Sequence, residues 1–318
     1  MELIRGLHNL RARHRGCVAT IGNFDGIHLG HQAVLGQLAQ QAGELGVPSL
    51  VVTFEPQPQE FFAPESAPPR LTRLREKLIA LRRYAVDRVL CVRFDRDFAG
   101  MSAETFIQQV LVDQLDVRYL VVGDDFRFGR ERAGNFAMLQ QAGARHGFPV
   151  VNMHTFMVDG ERVSSTRIRT ALAAGDLDTA AKLLGRDYRM WGRVAHGDKR
   201  GRGIGFPTAN IHLHRRATPV QGVFAVEMFG VEGEPVPGVA NVGTRPTVGG
   251  TRTLLEVHLF DFDRDIYGRY VSVDFVHKIR DERRFDSFDE LKRQIHRDAD
   301  AARAFFGTRN SDPGSAEG

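Results

Sequence analysis

Along the first part of the chain, unbroken apolar runs such as "SLVVTF" and "YLVVG" alternate with stretches whose apolar residues recur at helical spacing. The runs predict strands over residues 18–21, 49–54, 88–93, 119–122 and 150–154. The periodic stretches predict helices over 32–45, 73–84, 103–115 and 135–146. A run without polar alternation suits a strand covered on both faces. Strand–helix alternation of this kind implies an α/β domain with a parallel, doubly wound sheet. Such sheets bind ligands beyond the carboxyl ends of their strands. Those ends read "GNFDGIHLGH", "TFEPQP", "RFDRDF" and "GDDFRFG".

Two short helices follow, at about 165–174 and 176–184, and the pattern changes near 185–188. From there to about 279, helical periodicity gives way to short β-rich runs broken by Gly and Pro: "YRMWGRVAHG", "TPVQGVFAVEMFG", "VPGVANVG", "TLLEVHLFDF", "YVSVDFVHKI". This pattern predicts a small antiparallel β-barrel or sandwich. An amphipathic helix at about 287–306 closes the domain, and the tail "TRNSDPGSAEG" reads as disordered. The expected organisation is therefore 1–185, 186–308 and a 309–318 tail.

Composition narrows the function. The chain has 318 residues, 42% hydrophobic and 26% charged, enough for two ordinary cores. A net charge of +4 suits anionic small molecules at least as well as a nucleic-acid backbone. The β-rich runs also lack stacking aromatics interleaved on a basic face, which argues against a nucleic-acid-binding barrel despite a pI near 9.3. The two cysteines, Cys17 and Cys91, both fall in predicted strands and read as lone buried thiols. The first residues have no continuous apolar core, and no apolar run approaches the ~20 residues of a membrane span. A soluble cytoplasmic protein without a membrane partner is expected.

Five stretches carry candidate chemistry, each with a plain alternative. "GNFDGIHLGH" (22–31) is a glycine-rich strand-to-helix turn, yet it is neither G-x-G-x-x-G nor a P-loop. Its His28 and His31 are incidental to a helix start, or they donate hydrogen bonds to phosphate oxygens beside free N–H groups. A zinc site lacks further His or Cys ligands at suitable spacing. "SSTRIRTAL" (164–172) resembles an ordinary N-cap, but its early arginines occupy a place where the helix dipole favours acids, so an anion in front of the helix is implied. "GDDFRFG" (123–129) is a strand-end turn, or a place where Asp124, Asp125 and Arg127 hold a ribose or an acceptor while Phe126 and Phe128 line a planar pocket. "GDKRGRGIGFPTANI" (197–211) is a glycine-rich turn whose Thr208 and Asn210 offer oxygen donors suited to Mg²⁺. Glu256 shares a strand face with His258, opposite Leu255, Val257 and Leu259. A solvated outer carboxylate is the default there; one aimed into a barrel mouth would serve as a general base.

Together and in this order, the five stretches resemble the bacterial bifunctional riboflavin kinase/FAD synthetase family, from about residue 4 to 306. "GNFDGIHLGH", "GDDFRFG" and "SSTRIR" resemble motifs of its nucleotidyltransferase domain. "GRGIGFPTANI", "NVGTRPTVGG" and "LLEVHLFDFDRDIYG" resemble those of its kinase domain. The resemblance implies ATP-dependent phosphorylation of riboflavin to FMN by the C-terminal domain, then adenylylation of FMN to FAD and pyrophosphate by the N-terminal one. It implies that His28 and His31 stabilise the α-phosphate, and that Gly22, Asn23, Phe24, Gly30 and Asp125 surround the nucleotide. Ser165, Thr166 and Arg169 would hold the departing phosphates. In the kinase domain, Gly197, Lys199, Arg202 and Gly205 would wrap ATP, Thr208 and Asn210 would hold Mg²⁺, and Glu256 would be the base. Riboflavin, FMN, FAD and ATP are the implied partners of a monomer or weak homo-oligomer. Many relatives read Pro-His-Pro where this chain has "PQP"; Gln57 keeps hydrogen bonding but cannot carry a proton. The alternative is an adenylyltransferase for another phosphorylated acceptor, which leaves the second domain unexplained.

Overall fold

The computed structural model describes residues 1–123, 125–153, 155–195, 206–215, 217–247 and 250–311; side chains at 244–247, 250–252, 310 and 311 are excluded. Six strands form the first sheet: β1 (Glu2–Arg5), β2 (Cys17–Ile21), β3 (Ser49–Glu55), β4 (Arg88–Arg93), β5 (Val117–Gly123) and β6 (Val150–Met153). Their order is β1-β4-β3-β2-β5-β6, and every pairing is parallel. The helical elements are α1 (Leu29–Leu45), α2 (Pro58–Phe62), α3 (Leu74–Arg82), α4 (Arg96–Ala99), α5 (Ala103–Thr105) with a π-helical segment (Phe106–Gln114), and α6 (Phe136–His146). A short hairpin of β7 (Met157–Val158) and β8 (Glu161–Arg162) precedes α7 (Ser165–Ala174) and α8 (Leu177–Leu184).

The apolar runs are unbroken because both sheet faces are cores. Along each strand, successive residues enter different clusters. Ala19, Val52, Leu90 and Leu120 join one; Val18, Val51, Val89 and Val121 join the other. All eight are fully buried. Each such side chain contributes about 1.5–3 kcal/mol of transfer free energy. The edge strand β1 was not among the predicted strands, since "ELIR" is short and half polar. Helix α1 begins at Leu29, three residues before the predicted start, which brings both histidines into its N-terminal turn.

The second sheet is a closed antiparallel barrel: β9 (Tyr188–Ala195), β10 (Ala209–His212), β11 (Gly222–Phe229), β12 (Val236–Thr247), β13 (Gly250–Leu259) and β14 (Tyr270–Arg280). Its order is β10-β13-β12-β11-β14-β9, closed by the β9–β10 pairing. Strand β10 lies inside the stretch read from sequence as a glycine-rich turn. Helix α9 (Phe288–Ser311) lays Ala299, Ala302 and Phe306 on Val223, Ala225 and Val239 of the barrel. Arg280 fixes it by a fork of hydrogen bonds to buried Asp298, 2.7–3.1 Å long. The helix runs beyond the predicted end at 306, through four residues assigned to the tail or its border; 312–318 lie outside the described residues.

By contacts the chain divides into Met1–Pro68 with Thr72–Ser165, and Pro69–Leu71 with Thr166–Gly318. Helix α8, placed by the sequence in the first domain, packs on β9 and β14 and so groups with the barrel. Carbonyls of Pro69–Leu71 accept hydrogen bonds from Arg169, Tyr188 and Arg215, which draws that tripeptide into the second unit.

Cys17 and Cys91 are free and buried, as expected. Burial pushes the Cys17 thiol up to about 12, so almost no thiolate forms at neutral pH. A chromogenic disulfide reagent should therefore titrate neither thiol in the native chain, and both once the chain is unfolded in denaturant.

Candidate functional site

The first sheet reverses its winding at β2, which has β3 on one side and β5 on the other. The loops leaving β2 and β5 diverge there, and a cavity of about 320 Å³ opens between them. Gly22, Asn23, Phe24, His28, Gly30 and His31 line it from the β2 side; Asp125 and Phe126 do so from the β5 side. Ser165 at the start of α7 also borders it.

The β2 loop is held in a conformation that its residues do not favour. Phe24, Gly26 and Ile27 have positive φ angles of 47°, 87° and 44°. Such strain in non-glycine residues persists only where the surroundings over-determine it. Here Phe24 and Ile27 are sunk in the core at 2% and 1% exposure, and Asp25 is clamped. One Asp25 oxygen accepts from Thr72 N at 2.8 Å and from the Thr72 hydroxyl at 3.1 Å, while that hydroxyl accepts from Gly26 N at 2.9 Å. Ser165 Oγ donates to the Asp25 carbonyl at 2.9 Å. Gly22 and Gly30 are needed for space: a Cβ on Gly30 would lie 3.3 Å from the His28 ring, and one on Gly22 3.2 Å from the Phe24 ring.

His28 is the N-cap of α1. Its Nδ1 accepts from His31 N–H at 3.3 Å, so a neutral His28 carries its proton on Nε2. The His31 ring stacks on it with centroids 3.7 Å apart. Burial, then the neighbouring His28, then the charge of Lys77 hold His31 well below the ordinary imidazole range. His31 Nδ1 and Asn23 Oδ1 are buried without a hydrogen-bond partner among the described residues. The arrangement offers N–H donors and a helix N-terminus to an anion.

A second cavity of about 620 Å³ adjoins the first, and the two share Ile21 and Phe126. Phe54, Phe62, Phe94, Phe98, Phe106 and Phe128 make it aromatic. Phe126 and Phe128 line it too and stack at 15° between planes. The other aromatics escaped the sequence reading, although their signal was present in "EFF" and "RFDRDF" beyond the ends of β3 and β4. Asp125 pairs with Arg162 at 2.7 Å at the rim of the first cavity. Thr166 and Arg169 belong by contacts to the second unit, where Arg169 Nε donates to the Pro69 carbonyl at 2.7 Å.

In the barrel, the register sets Glu256 of β13 directly opposite Asn210 of β10 and Asn241 of β12. Leu255 and Val257 point inward and are fully buried, so Glu256 lies on the outer wall. It shares that outward face with His258, as strand alternation in the sequence leads one to expect. His258 Nδ1 donates to the Pro207 carbonyl at 2.9 Å, and its ring packs on Phe206 at 4.8 Å. Thr208 lines a cavity of about 360 Å³ with Asp263, Tyr267 and Val257. Gly197, Lys199, Arg202 and Gly205 lie outside the described residues.

Comparison with known proteins finds a family match for each part of the chain. One family model, described as FAD synthetase, matches residues 10–167; another, described as riboflavin kinase, matches 184–306. A protein from Haemophilus influenzae, named bifunctional riboflavin kinase/FMN adenylyltransferase, is 55% identical over 306 residues, 96% of this chain and 99% of its own. A protein of the same name from Escherichia coli is 55% identical over 308 residues, 96% and 98% of the two chains. A solved structure described as a macrolide-efflux protein from Streptococcus pneumoniae superposes with a TM-score of 0.81 at 30% identity, over 95% of this chain and 99% of that one. No helix among the described residues is long and apolar enough to cross a membrane.

Because His31 is held below the ordinary imidazole value of about 6.5, the unfolded chain binds more protons than the folded one between the two values. Stability contributed by the neutral ring is therefore complete above that ordinary value and is lost as pH falls below it. Ring-nitrogen NMR at about pH 5.5 should find His31 still neutral, where an unperturbed imidazole is largely charged. A fully protonated His31 ring at that pH would refute its burial as a neutral donor.

Proposed function

The chain belongs to the bifunctional riboflavin kinase/FMN adenylyltransferase family, and on that premise we propose how its residues divide the two reactions. The C-terminal domain phosphorylates riboflavin with ATP to give FMN. The N-terminal domain transfers AMP from a second ATP to FMN, releasing pyrophosphate and giving FAD. A cytoplasmic location suits both steps, which consume ATP.

In the AMP-transfer step the nucleophile is a phosphomonoester, mostly ionised near neutral pH because its second pKa is ~6. Positioning and charge stabilisation then suffice. In our reading, His28 Nε2–H and the His31 ring donate to the α-phosphate oxygens as negative charge builds on them. Asn23, Gly22, Phe24 and Gly30 shape the close backbone approach. Ser165, Thr166 and Arg169 hold the departing pyrophosphate, and Asp125 sits near nucleotide or acceptor. The observation that carries this reading is the pair of joined cavities: the smaller one has orphaned polar atoms beside a helix N-terminus, and the larger one is an aromatic slot sized for a flavin ring. Where they meet, an FMN phosphate would stand beside the histidine pair. Gln57, buried with a free amide N–H, can serve phosphate by hydrogen bonding alone.

In the kinase step the nucleophile is an alcohol, so a base helps. Glu256 is that base in our reading, on the outer barrel wall. Thr208 and Asn210 present hydroxyl and amide oxygens, hard donors that fit a small divalent cation such as Mg²⁺. Such an ion, when bound, neutralises phosphate charge. Lys199 and Arg202, with Gly197 and Gly205, would enclose the ATP phosphates.

Incubation with riboflavin, ATP and Mg²⁺, followed by chromatography of the flavins, should yield FMN and then FAD. The double variant His28→Ala/His31→Ala should stop at FMN, with AMP transfer lower by about 10²-fold or more. His28→Asn, which keeps a competent helix cap, should lose activity without losing stability. Glu256→Ala should block FMN formation by about 10²-fold or more while still adenylylating supplied FMN. Loss of both steps to the same degree in either variant would sink this division of labour.

A further inference from the structure

One side chain in the N-terminal core is not explained by apolar packing. Lys77 on α3 is 0% exposed. A buried ammonium persists only among polar or charged partners. Its Nζ donates to Thr53 Oγ1 at 3.2 Å, and Thr53 on β3 is also fully buried. An ammonium can only donate, so the Thr53 hydroxyl accepts from it and sends its own hydrogen elsewhere. That hydrogen goes to the Asn23 carbonyl, 3.4 Å away. A directed chain thus runs from the core through one hydroxyl to the loop that lines the smaller cavity.

We propose that Lys77 is a positioning residue for AMP transfer, fixing the Asn23 end of the phosphate loop through Thr53. The loop needs such a fastening. Its positive-φ residues Phe24 and Ile27 store strain. The Asp25–Thr72 bonds clamp the middle of the turn; at the Asn23 end Gly22 N donates to the Val52 carbonyl at 3.0 Å, and Thr53 holds the Asn23 carbonyl itself. The charge acts in the same direction. Among the described residues, burial first, then His28 and then Lys77 oppose protonation of His31; Asp25, Asp125 and Arg162 also line the cavity. A ring kept neutral at the pH of catalysis remains a neutral donor rather than a cation that would grip the ground-state phosphate.

The proposal rests on AMP transfer belonging to this domain. Its test uses the full chain and follows both reactions in wild type, Thr53→Val and Lys77→Met, with kcat and KM for FMN resolved from about pH 5.5 to 9. Both variants should lower kcat for FAD formation by about tenfold or more. KM for FMN should change by less than about twofold, and riboflavin phosphorylation should stay at the wild-type rate. Lys77→Met should also shift the acid limb of the FAD profile to higher pH, because His31 then protonates more readily. Thr53→Val keeps the ammonium and should leave that limb in place. FAD formation at the wild-type rate in Thr53→Val overturns the proposal, and so does an unmoved acid limb in a folded Lys77→Met chain. If Lys77→Met loses its thermal transition, Thr53→Val alone decides, being close to isosteric. A wild-type chain that made FMN but no FAD would instead remove the assignment of AMP transfer.

Discussion

A parallel sheet presents its carboxyl edge to solvent along its whole width, but two neighbouring loops part only where the winding reverses. In the first unit that point is β2, flanked by β3 and β5. Both cavities open beside it, and they share Ile21 at its last position. Burial on both faces makes the reversal rigid. Cys17, Ala19 and Ile21 belong to one core and Val18 to the other, so β2 cannot shift by one residue without exchanging faces.

The loop that leaves this strand inherits that rigidity. Its hydrophobic residues are anchors: Phe24 and Ile27 accept unfavourable backbone angles because leaving the core would cost more. Its polar residues divide into those satisfied inside the protein, such as Asp25, and those left wanting, such as His31 Nδ1 and Asn23 Oδ1. Leaving a buried polar atom unmade costs about 1–3 kcal/mol. Two such atoms in one small cavity are best explained by a ligand that completes them. The double use of His28, as helix cap and as proposed donor, fixes its tautomer by the same bond that starts α1.

The barrel meets a different chemical demand in a different way. Its interior is packed solid with side chains such as Val257 and Phe275, so polar chemistry has to be on the outside wall. Cross-strand register does there what loop geometry does in the first unit. It sets Glu256 beside Asn210 although the two are far apart in sequence. Helix α9, tied by Arg280 to Asp298, covers another part of the wall.

The local pattern alone determined the elements. Unbroken apolar runs and 3.6-residue periodicity gave five of the six strands in the first sheet and its principal helices, and Gly/Pro punctuation gave the barrel. The motifs, taken together, identified the family. Elements lacking a pattern of their own were not legible. The edge strand β1 is too short and polar, and β10 hides in a glycine-rich stretch, because pairing and not composition makes them strands. Tertiary structure decided which phenylalanines share one slot, that Glu256 stands opposite Asn210, and that Lys77 ends inside the core. Those are facts about where separate segments meet, and period along the chain fixes only which way a residue faces, never what it faces.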